Sequence, residues 1–251
     1  MNNRIFLNAE FLEKRIETFY GYGNYKGNYW FIGMEEAGDG SFKDTDERIN
    51  LWVERGQEEI EDVAEYHIAM GCWDKKIQPT WKGLIRIVLS AKGKENITPD
   101  DVREYQFNEL GRKDKETCLL ELLPLPSPSI NHWLYSEHSD LTKLPFLSDR
   151  DTYKKHCIEK RIDNISQRIK AYQPKAVILY GMGYEYYWRQ IADVEFTKID
   201  YSKKEYFFIG RNNQTVFIIA KHSVAFGTTN DYFHYIGKSI TAKLAEKSFY
   251  P

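Results

Sequence analysis

Short apolar runs alternate with segments of helical period along most of the chain. Four runs are rich in β-forming residues and predict buried strands: YWFIGM (29–34), CLLELLPL (118–125), AVILYG (176–181) and TVFIIA (215–220). Apolar residues recur at helical spacing in four other segments: 9–20, 47–70 with an interruption at Gly56, 80–91 and 153–172. Strands separated by helices predict an α/β fold with a central, mainly parallel sheet and helices on both faces, a three-layer α/β/α arrangement.

Weaker signals predict the remaining elements. Thr98 and Pro99 are typical of a helix start, and Gly181 and Gly183 precede a helical pattern that runs to Ile191. The other predictions are a loop in GYGNYKGN (21–28), an edge hairpin formed by FTKID (196–200) and EYFFIG (205–210), and a last helix over 232–248.

Composition bounds the class of protein. With 251 residues, 42% of them hydrophobic, the chain can bury a sizeable core, and we expect a single domain over 1–251. The three cysteines are far apart, which argues against a disulfide framework or a four-thiolate metal site. The amino-terminal segment lacks the apolar core of a signal peptide and no stretch approaches a membrane span, so we expect a cytoplasmic monomer without a membrane partner.

The formal charge limits how the chain could bind a polyanion. Because the net charge is only −2, the whole-molecule field offers little attraction to nucleic acid, and a local surface would have to supply it. Acidic neighbours interrupt most basic clusters, including Lys154 and Lys155, which predicts ordinary solvated faces. A groove shared by these lysines, Arg150 and the loop at Ser223 would favour DNA.

The carboxyl ends of the predicted strands are where a ligand is expected, because ligands of open parallel sheets bind there. Four stretches should meet at this edge: GMEEAGDG (33–40), LLPLPSPS (122–129), GMGYEYY (181–187) and AKHSVAFG (220–227). His222 follows the last buried strand directly and would bring a titratable, hydrogen-bonding ring to the edge.

The same stretches resemble a known family. FIGMEEAGDG, LLELLPLPSPS, QPKAVILYGMGYEYYW and FIIAKHSVAFG, in this order over about 200 residues, are similar to segments of the uracil-DNA glycosylase superfamily, nearest its thermophilic and mismatch-type branches. The resemblance implies a glycosylase-like α/β/α domain that hydrolyses the N-glycosidic bond of a damaged or deaminated base flipped out of DNA. The cysteines of the iron–sulfur branch are missing, so neither a cluster nor another metal or cofactor is expected.

The resemblance also implies roles for individual residues. Glycoside cleavage develops positive charge on the sugar and negative charge on the departing base, so it calls for a carboxylate and a hydrogen-bond donor. The carboxylate would be Glu36 or Asp39, and the donor would be His222. The residues expected to contact the base are Gly33, Glu35, Glu121 and Phe42, the last as a stacking platform. The residues expected at the DNA backbone are Ser127, Gly183 and Ser223.

Two departures from the family pattern keep other functions open. Glu121 stands where the family has an asparagine, and an ionised acid accepts hydrogen bonds where an amide also donates. The histidine loop reads His222, Ser223, Val224 and lacks the family's proline. The alternatives are a glycosylase with a different base, an inactive nucleotide- or nucleic-acid-binding module of the same fold, and a small-molecule hydrolase that uses Glu36 and His222 as an acid–base pair.

Overall fold

The computed structural model describes residues 5–73 and 76–246. Within these ranges the chain is an α/β protein with nine α-helices. They are α1 (Ala9–Thr18), α2 (Phe42–Glu54), α3 (Val63–Ala69), α4 (Pro79–Ala91), α5 (Pro99–Asn108), α6 (Tyr135–His138), α7 (Arg150–Tyr172), α8 (Glu185–Ala192) and α9 (Asn230–Ala245). Two short 3-10 helices, Pro145–Leu147 and Met182–Tyr184, complete the helical elements of this part of the chain.

All described strands belong to one mixed sheet. The strands are β1 (Gly21–Gly23), β2 (Tyr29–Gly33), β3 (Ile60–Glu61), β4 (Thr117–Glu121), β5 (Ala176–Tyr180), β6 (Phe196–Asp200), β7 (Tyr206–Arg211) and β8 (Val216–Ala220). Their order across the sheet is β3-β1-β4-β2-β5-β8-β7-β6.

The centre of the sheet is parallel and its flanks are not. Strands β4, β2, β5 and β8 run parallel, as predicted. On one side β1 is antiparallel to β4, and on the other β7 is antiparallel to β8 and β6 to β7. The predicted hairpin of β6 and β7 is therefore confirmed, and the sheet formed by the described strands is mixed, with four parallel pairs, including β1 with β3, and three antiparallel pairs.

The core divides into two clusters because successive side chains of a strand point to opposite faces. Trp30 and Ile32 of β2 belong to a cluster that includes buried residues of α1, α7 and α8. Tyr29 and Phe31 belong to a second cluster with residues of α4, α5 and α9. Tyr180, the last residue of β5, also lies in the second cluster.

Two predicted boundaries are wrong for identifiable reasons. The segment 21–28 was expected to be a loop, but Gly21–Gly23 form β1, where Gly21 has φ +141° and a Cβ would lie 2.1 Å from the Leu119 carbonyl oxygen. Only glycine allows this close pairing. The helical pattern over 47–70 begins earlier than predicted, at Phe42, whereas its interruption at Gly56 is confirmed, because α2 ends at Glu54 and α3 begins only after β3, with Asp62 as its cap. Of the last predicted helix, residues 247 and 248 lie outside the described residues.

Candidate functional site

The four parallel strands end at one place. Gly33 of β2 pairs with Glu121 of β4, and Tyr180 of β5 pairs with Ala220 of β8. Each of these is the last residue of its strand. The side chains of Glu121 and Tyr180 converge over Gly33, where a Cβ would lie 2.7 Å from Glu121 Oε2 and 2.3 Å from Tyr180 Oη. Gly33 is thus required to make room for two protein side chains.

Tyr180 connects this carboxyl group to the histidine beyond β8. Its Oη lies 3.5 Å from Glu121 Oε1, at the outer limit of a hydrogen bond. Its ring centroid lies 5.3 Å from that of His222. The structure therefore brings Glu121 and His222 to a common edge of the sheet through a side chain that sequence reasoning did not select.

His222 is arranged as a neutral hydrogen-bond donor. Its Nδ1 accepts a hydrogen bond from the backbone N–H of Val224 (3.3 Å), so the proton of the neutral ring lies on Nε2. Burial lowers the pKa of His222 below its usual value, which favours the neutral form at pH 7. Nε2 has no hydrogen-bond partner within the described part of the chain, and its N–H remains available to a ligand.

Glu36 is held by groups from three other elements. Arg48 Nη1 of α2 donates to its Oε1 at 2.8 Å, and the hydroxyl of Tyr22 in β1 lies 3.2 and 3.1 Å from its two carboxylate oxygens. His67 Nε2 of α3 is 3.8 Å from Oε1. Burial by itself would raise the pKa of Glu36, but the neighbouring cations, led by Arg48, outweigh it and hold that pKa below its usual value. Glu36 is therefore an ionised carboxylate.

Glu36 belongs to the same site as Glu121 and Tyr180. Burial raises the pKa of Tyr180 well above its usual value, and the negative charges of Glu121 and Glu36 raise it further. Glu36 is also the first of two carboxylates that add to the effect of burial in raising the pKa of Glu121. The charge of Glu36 thus acts on the pair formed by Glu121 and Tyr180, and the His222 ring packs near the Tyr180 ring of that pair.

Glu35 has a different cationic partner. Arg150, the first residue of α7, donates from Nη2 to Glu35 Oε1. Burial nevertheless raises the pKa of Glu35 above its usual value, although Arg150 opposes the shift. Glu35 Oε2 and Arg150 Nη1 are buried without a hydrogen-bond partner in the described ranges. Because Arg150 is engaged with this carboxyl group, it does not present a free charge to DNA.

The structure distinguishes the two candidate carboxylates. The side chain of Asp39 is exposed, and its Oδ1 accepts a hydrogen bond from the backbone N–H of Ser41 at 2.7 Å. These hydrogen bonds with Ser41 lower the pKa of Asp39, as in an ordinary turn. Glu36, by contrast, is largely buried and lies beside the strand ends. The geometry therefore favours Glu36 over Asp39 for the carboxylate role.

Phe42 lies to one side of the strand ends. It is the first residue of α2, and its ring centroid is 4.9 Å from that of His138. It lines a cleft of about 380 Å³ that also includes Gly40, His132 and Trp133. No contact joins Phe42 to Glu121, so the structure gives it a packing role beside this cleft.

The three residues expected at the DNA backbone are not arranged as one surface. The Ser127 hydroxyl donates within its own loop, to the carbonyl oxygens of Ser129 and His132 at 2.9 Å each. Gly183 is exposed, and nothing lies within 4 Å of a Cβ built there. Ser223 Oγ is shielded from solvent and faces Gly83 of α4, where a Cβ would lie only 2.5 Å away.

An aromatic cluster beside Glu36 was missed at the sequence level. The ring of His67 has centroid distances of 5.6 Å to Tyr22, 6.0 Å to Trp73 and 5.7 Å to Trp81. Both tryptophans are only partly buried. They could not be selected from spacing, because Trp73 precedes α4, Trp81 lies in it, and the fold alone brings them to α3. Either offers a flat surface near the acidic loop in place of Phe42.

Comparisons with known proteins assign no family. No protein-family model matches the sequence, and no curated protein sequence matches it. Among the described residues, no group of three or more histidine, cysteine, aspartate or glutamate side chains is placed to hold a metal ion. No helix in the same ranges is long and apolar enough to cross a membrane.

Proposed function

We propose that this protein is an N-glycosyl hydrolase of the uracil-DNA glycosylase type that acts on a base flipped out of DNA. The proposal is supported by an ionised carboxylate, Glu36, whose charge acts on Glu121 and Tyr180, together with a neutral imidazole donor, His222, whose ring lies 5.3 Å from that of Tyr180. The two core clusters on opposite faces of the sheet are consistent with the three-layer, glycosylase-like fold that accompanies this proposal.

Each group has a defined part in the reaction. The bond between C1′ of the sugar and the base nitrogen breaks, and its electron pair leaves with the base. The His222 Nε2–H donates to the base oxygen on which the negative charge grows. The Glu36 carboxylate stabilises the positive sugar and orients the water that adds to C1′. The proton released by that water ends on the departed base.

The loop beyond His222 presents two exposed apolar side chains that could hold a base out of the stack. Phe226 is 97% exposed and Val224 is 58% exposed, and both lie within four residues of His222. Proteins that open DNA insert apolar side chains of this kind between base steps. We infer that Phe226 fills the space left by the flipped base.

A groove between α7 and α8 offers a path for the DNA strand. It has a volume of about 390 Å³ and is lined by Lys154, Lys155, Tyr186 and Tyr187 together with two acids, Asp151 and Glu159. Tyr186 is 74% exposed. Since the acids offset the lysines, stacking on tyrosine would contribute more than charge, which favours a single strand over a duplex. The grouping of Arg150 and Ser223 with these lysines, expected for a DNA groove, is not found.

The test is base release from oligonucleotides that carry uracil, hypoxanthine or xanthine, single- and double-stranded, followed by alkaline strand scission. We expect release by the wild type and a loss of about 100-fold or more in His222→Ala and Glu36→Gln. Asp39→Asn is the matched control, because it removes an exposed acid of the same loop and should leave the rate unchanged. Absence of release from every substrate at stoichiometric protein would defeat the proposal.

One observation favours a second candidate, a nucleotide- or nucleic-acid-binding module without turnover. The charge of Glu36 is already compensated by Arg48 and hydrogen-bonded by Tyr22, which weakens its action on a distant cation. Salt-dependent binding of the oligonucleotides without release of any base would identify the module. The monomeric state and the cytoplasmic location stay predictions in either case.

A further inference from the structure

We propose that Glu121 contacts the base as a neutral carboxylic acid and donates a hydrogen bond from Oε1 to a carbonyl oxygen of the base. This inference rests on the proposed function, because it names the group that reads the base in the same site. It concerns the position where the resemblance leads one to expect an amide.

The first argument is the imbalance between acids and cations at the strand ends. Of the three glutamates at or just beyond these strand ends, two have an arginine partner: Glu36 has Arg48 and Glu35 has Arg150. Glu121 has no ion pair within the described residues. An unpaired charge in a buried site with two carboxyl groups nearby is costly, and a proton removes that cost.

The second argument concerns the one cation near Glu121. Arg161 of α7 directs its guanidinium to backbone carbonyl oxygens, with 2.6 Å to Glu121 O, 3.0 Å to Leu122 O and 2.7 Å to Phe19 O. Its hydrogen bonds are therefore committed to the main chain and not to the carboxyl group. From the other elements, Glu121 is faced by the carboxyl groups of the acidic loop, by the Tyr180 hydroxyl and, beyond it, by the His222 ring.

The direction of the pKa agrees with this geometry. Burial raises the pKa of Glu121 well above its usual value, and repulsion from Glu36 and Glu35 adds to the effect. Arg161 and the hydroxyl of Tyr180 oppose the shift without reversing it. Glu121 is therefore the acid in this site that keeps its proton.

The position of the proton follows from what each oxygen can reach. Oε2 is shielded from solvent above Gly33 and has no hydrogen-bond partner in the described ranges. A carbonyl oxygen is left unpartnered at less cost than an O–H group, so Oε2 is the carbonyl oxygen and Oε1 carries the proton. Glu121 as a whole is partly exposed, and its Oε1 accepts a long hydrogen bond of 3.5 Å from the Tyr180 hydroxyl, which a protonated Oε1 can still accept through a lone pair while its own O–H donates to a ligand.

The O–H group of Glu121, as a single donor directed toward the ligand, determines which class of base the site can bind. An O–H group at Oε1 is satisfied by an exocyclic carbonyl oxygen, as in uracil or hypoxanthine, and is opposed by the amino group of cytosine or adenine. The neutral acid thus supplies the donor that an ionised carboxylate would lack. Recognition by this group should disappear when the proton is lost at high pH.

The experiment has one part that does not depend on hydrolysis. Infrared difference spectra of ¹³C-glutamate-labelled protein at pH 7 should contain a neutral carboxyl band that Glu121→Gln removes. Because the folded pKa of Glu121 is raised, wild type should also lose stability relative to Glu121→Gln as pH rises above about 4.3, until the folded pKa is passed. Absence of the neutral band at pH 7 would overturn the inference, whatever the oligonucleotide assay gives.

The second part measures recognition with free bases. Tryptophan fluorescence titrations should show wild type binding uracil about five- to tenfold more tightly than pyrimidin-2-one, which lacks the 4-oxygen. Glu121→Gln should keep this preference at all pH values, wild type should lose it at high pH, and Glu121→Leu should lack it. Equal preference in wild type and Glu121→Leu would overturn the inference. Selectivity for uracil without base release from DNA would support it while defeating the hydrolase.

Discussion

Replacing Arg48 by methionine tests the electrostatic basis of the site. Arg48 is 10% exposed and joins two carboxylates, with 2.8 Å from Nη1 to Glu36 Oε1 and 2.9 Å from Nε to Asp44 Oδ2. Methionine retains most of the apolar volume and removes the charge. The variant would leave Glu36, whose side chain is 17% exposed, with the hydroxyl of Tyr22, the weakly placed His67 and the charge of Arg15, which ranks below those of Arg48 and His67 in its effect on Glu36.

The expected loss in the free energy of unfolding is about 3 kcal/mol at pH 7. Removing one partner of a buried ion pair costs about 3–5 kcal/mol, because the other charge remains buried and unpaired. The partial exposure of Glu36 places this case at the lower end of the range. The cost of losing Asp44 as a partner is small beside this, since such a pair within one helix contributes about 0.5 kcal/mol.

The direction in which stability should change with pH follows from the pKa of Glu36. In the wild type the pKa of Glu36 is lowered, so its stabilising effect is complete above the unfolded value of about 4.3 and is lost as pH falls through the folded pKa. In Arg48→Met burial dominates and the pKa of Glu36 should rise. The variant should then lose stability as pH rises from 4 to 7, and the difference between the two proteins should grow over that interval.

Urea denaturation at several pH values between 4 and 7 measures both quantities. Lys43→Met on the same helix is the matched control, because Lys43 is 82% exposed and its ion pair with Glu47 should contribute less than about 1 kcal/mol. Adding Glu36→Gln to Arg48→Met should recover part of the loss. A cost below about 1 kcal/mol at pH 7, or a cost that does not change with pH, would refute the reasoning.

Three further predictions concern close contacts and caps. Gly33→Ala should lower the free energy of unfolding by about 1–3 kcal/mol in urea denaturation, because the new Cβ would lie 2.3 Å from Tyr180 Oη. Gly183→Ala is the control and should have little effect, because the space around Gly183 is open. Equal effects of the two substitutions would contradict the prediction. Gly237→Ala should also lower the free energy of unfolding by about 1–3 kcal/mol, because the new Cβ would lie 2.4 Å from the backbone carbonyl oxygen of Ile87 in α4. An unchanged melting temperature would contradict this, since it would mean that α9 and α4 move apart without cost. Thr98→Ala should cost about 1 kcal/mol through loss of the capping box of α5, and Thr98→Ser should restore it.

The parts of the fold that could be predicted are those in which local pattern and burial agree. Strands β2, β5 and β8 are continuous apolar runs and are fully buried, so their sequence reports their environment directly. Strand β1 could not be found in this way, because it consists of Gly-Tyr-Gly and depends on the close approach of Gly21 to β4. The antiparallel flanks likewise follow from pairing partners, which no local pattern specifies.

The site was predictable only at the level of the strand ends. Topology places Glu36, Glu121 and His222 at one edge, as the sequence indicated, because parallel strands end together. The direction of a side chain depends on its neighbours in the fold, and the sequence pattern did not predict it. Ser223 turns toward α4, and Phe42 packs on His138. The partners of the acids come from other elements, with Arg48 12 residues beyond Glu36 and Arg150 115 residues beyond Glu35, and no local pattern assigns either arginine to its acid.

These arginines, which could not be predicted from the sequence, determine which carboxyl groups of the site are ionised. Two carboxyl groups of the same residue type border it, but Arg48 keeps Glu36 ionised while the lack of a cation leaves Glu121 protonated. Environments that push the pKa values of neighbouring acids apart are how a site obtains a negative charge and a hydrogen-bond donor at the same pH. Under the proposed function, Glu121 at the position where the resemblance implies an asparagine is compatible with base recognition, because a protonated glutamic acid can donate a hydrogen bond as an amide would.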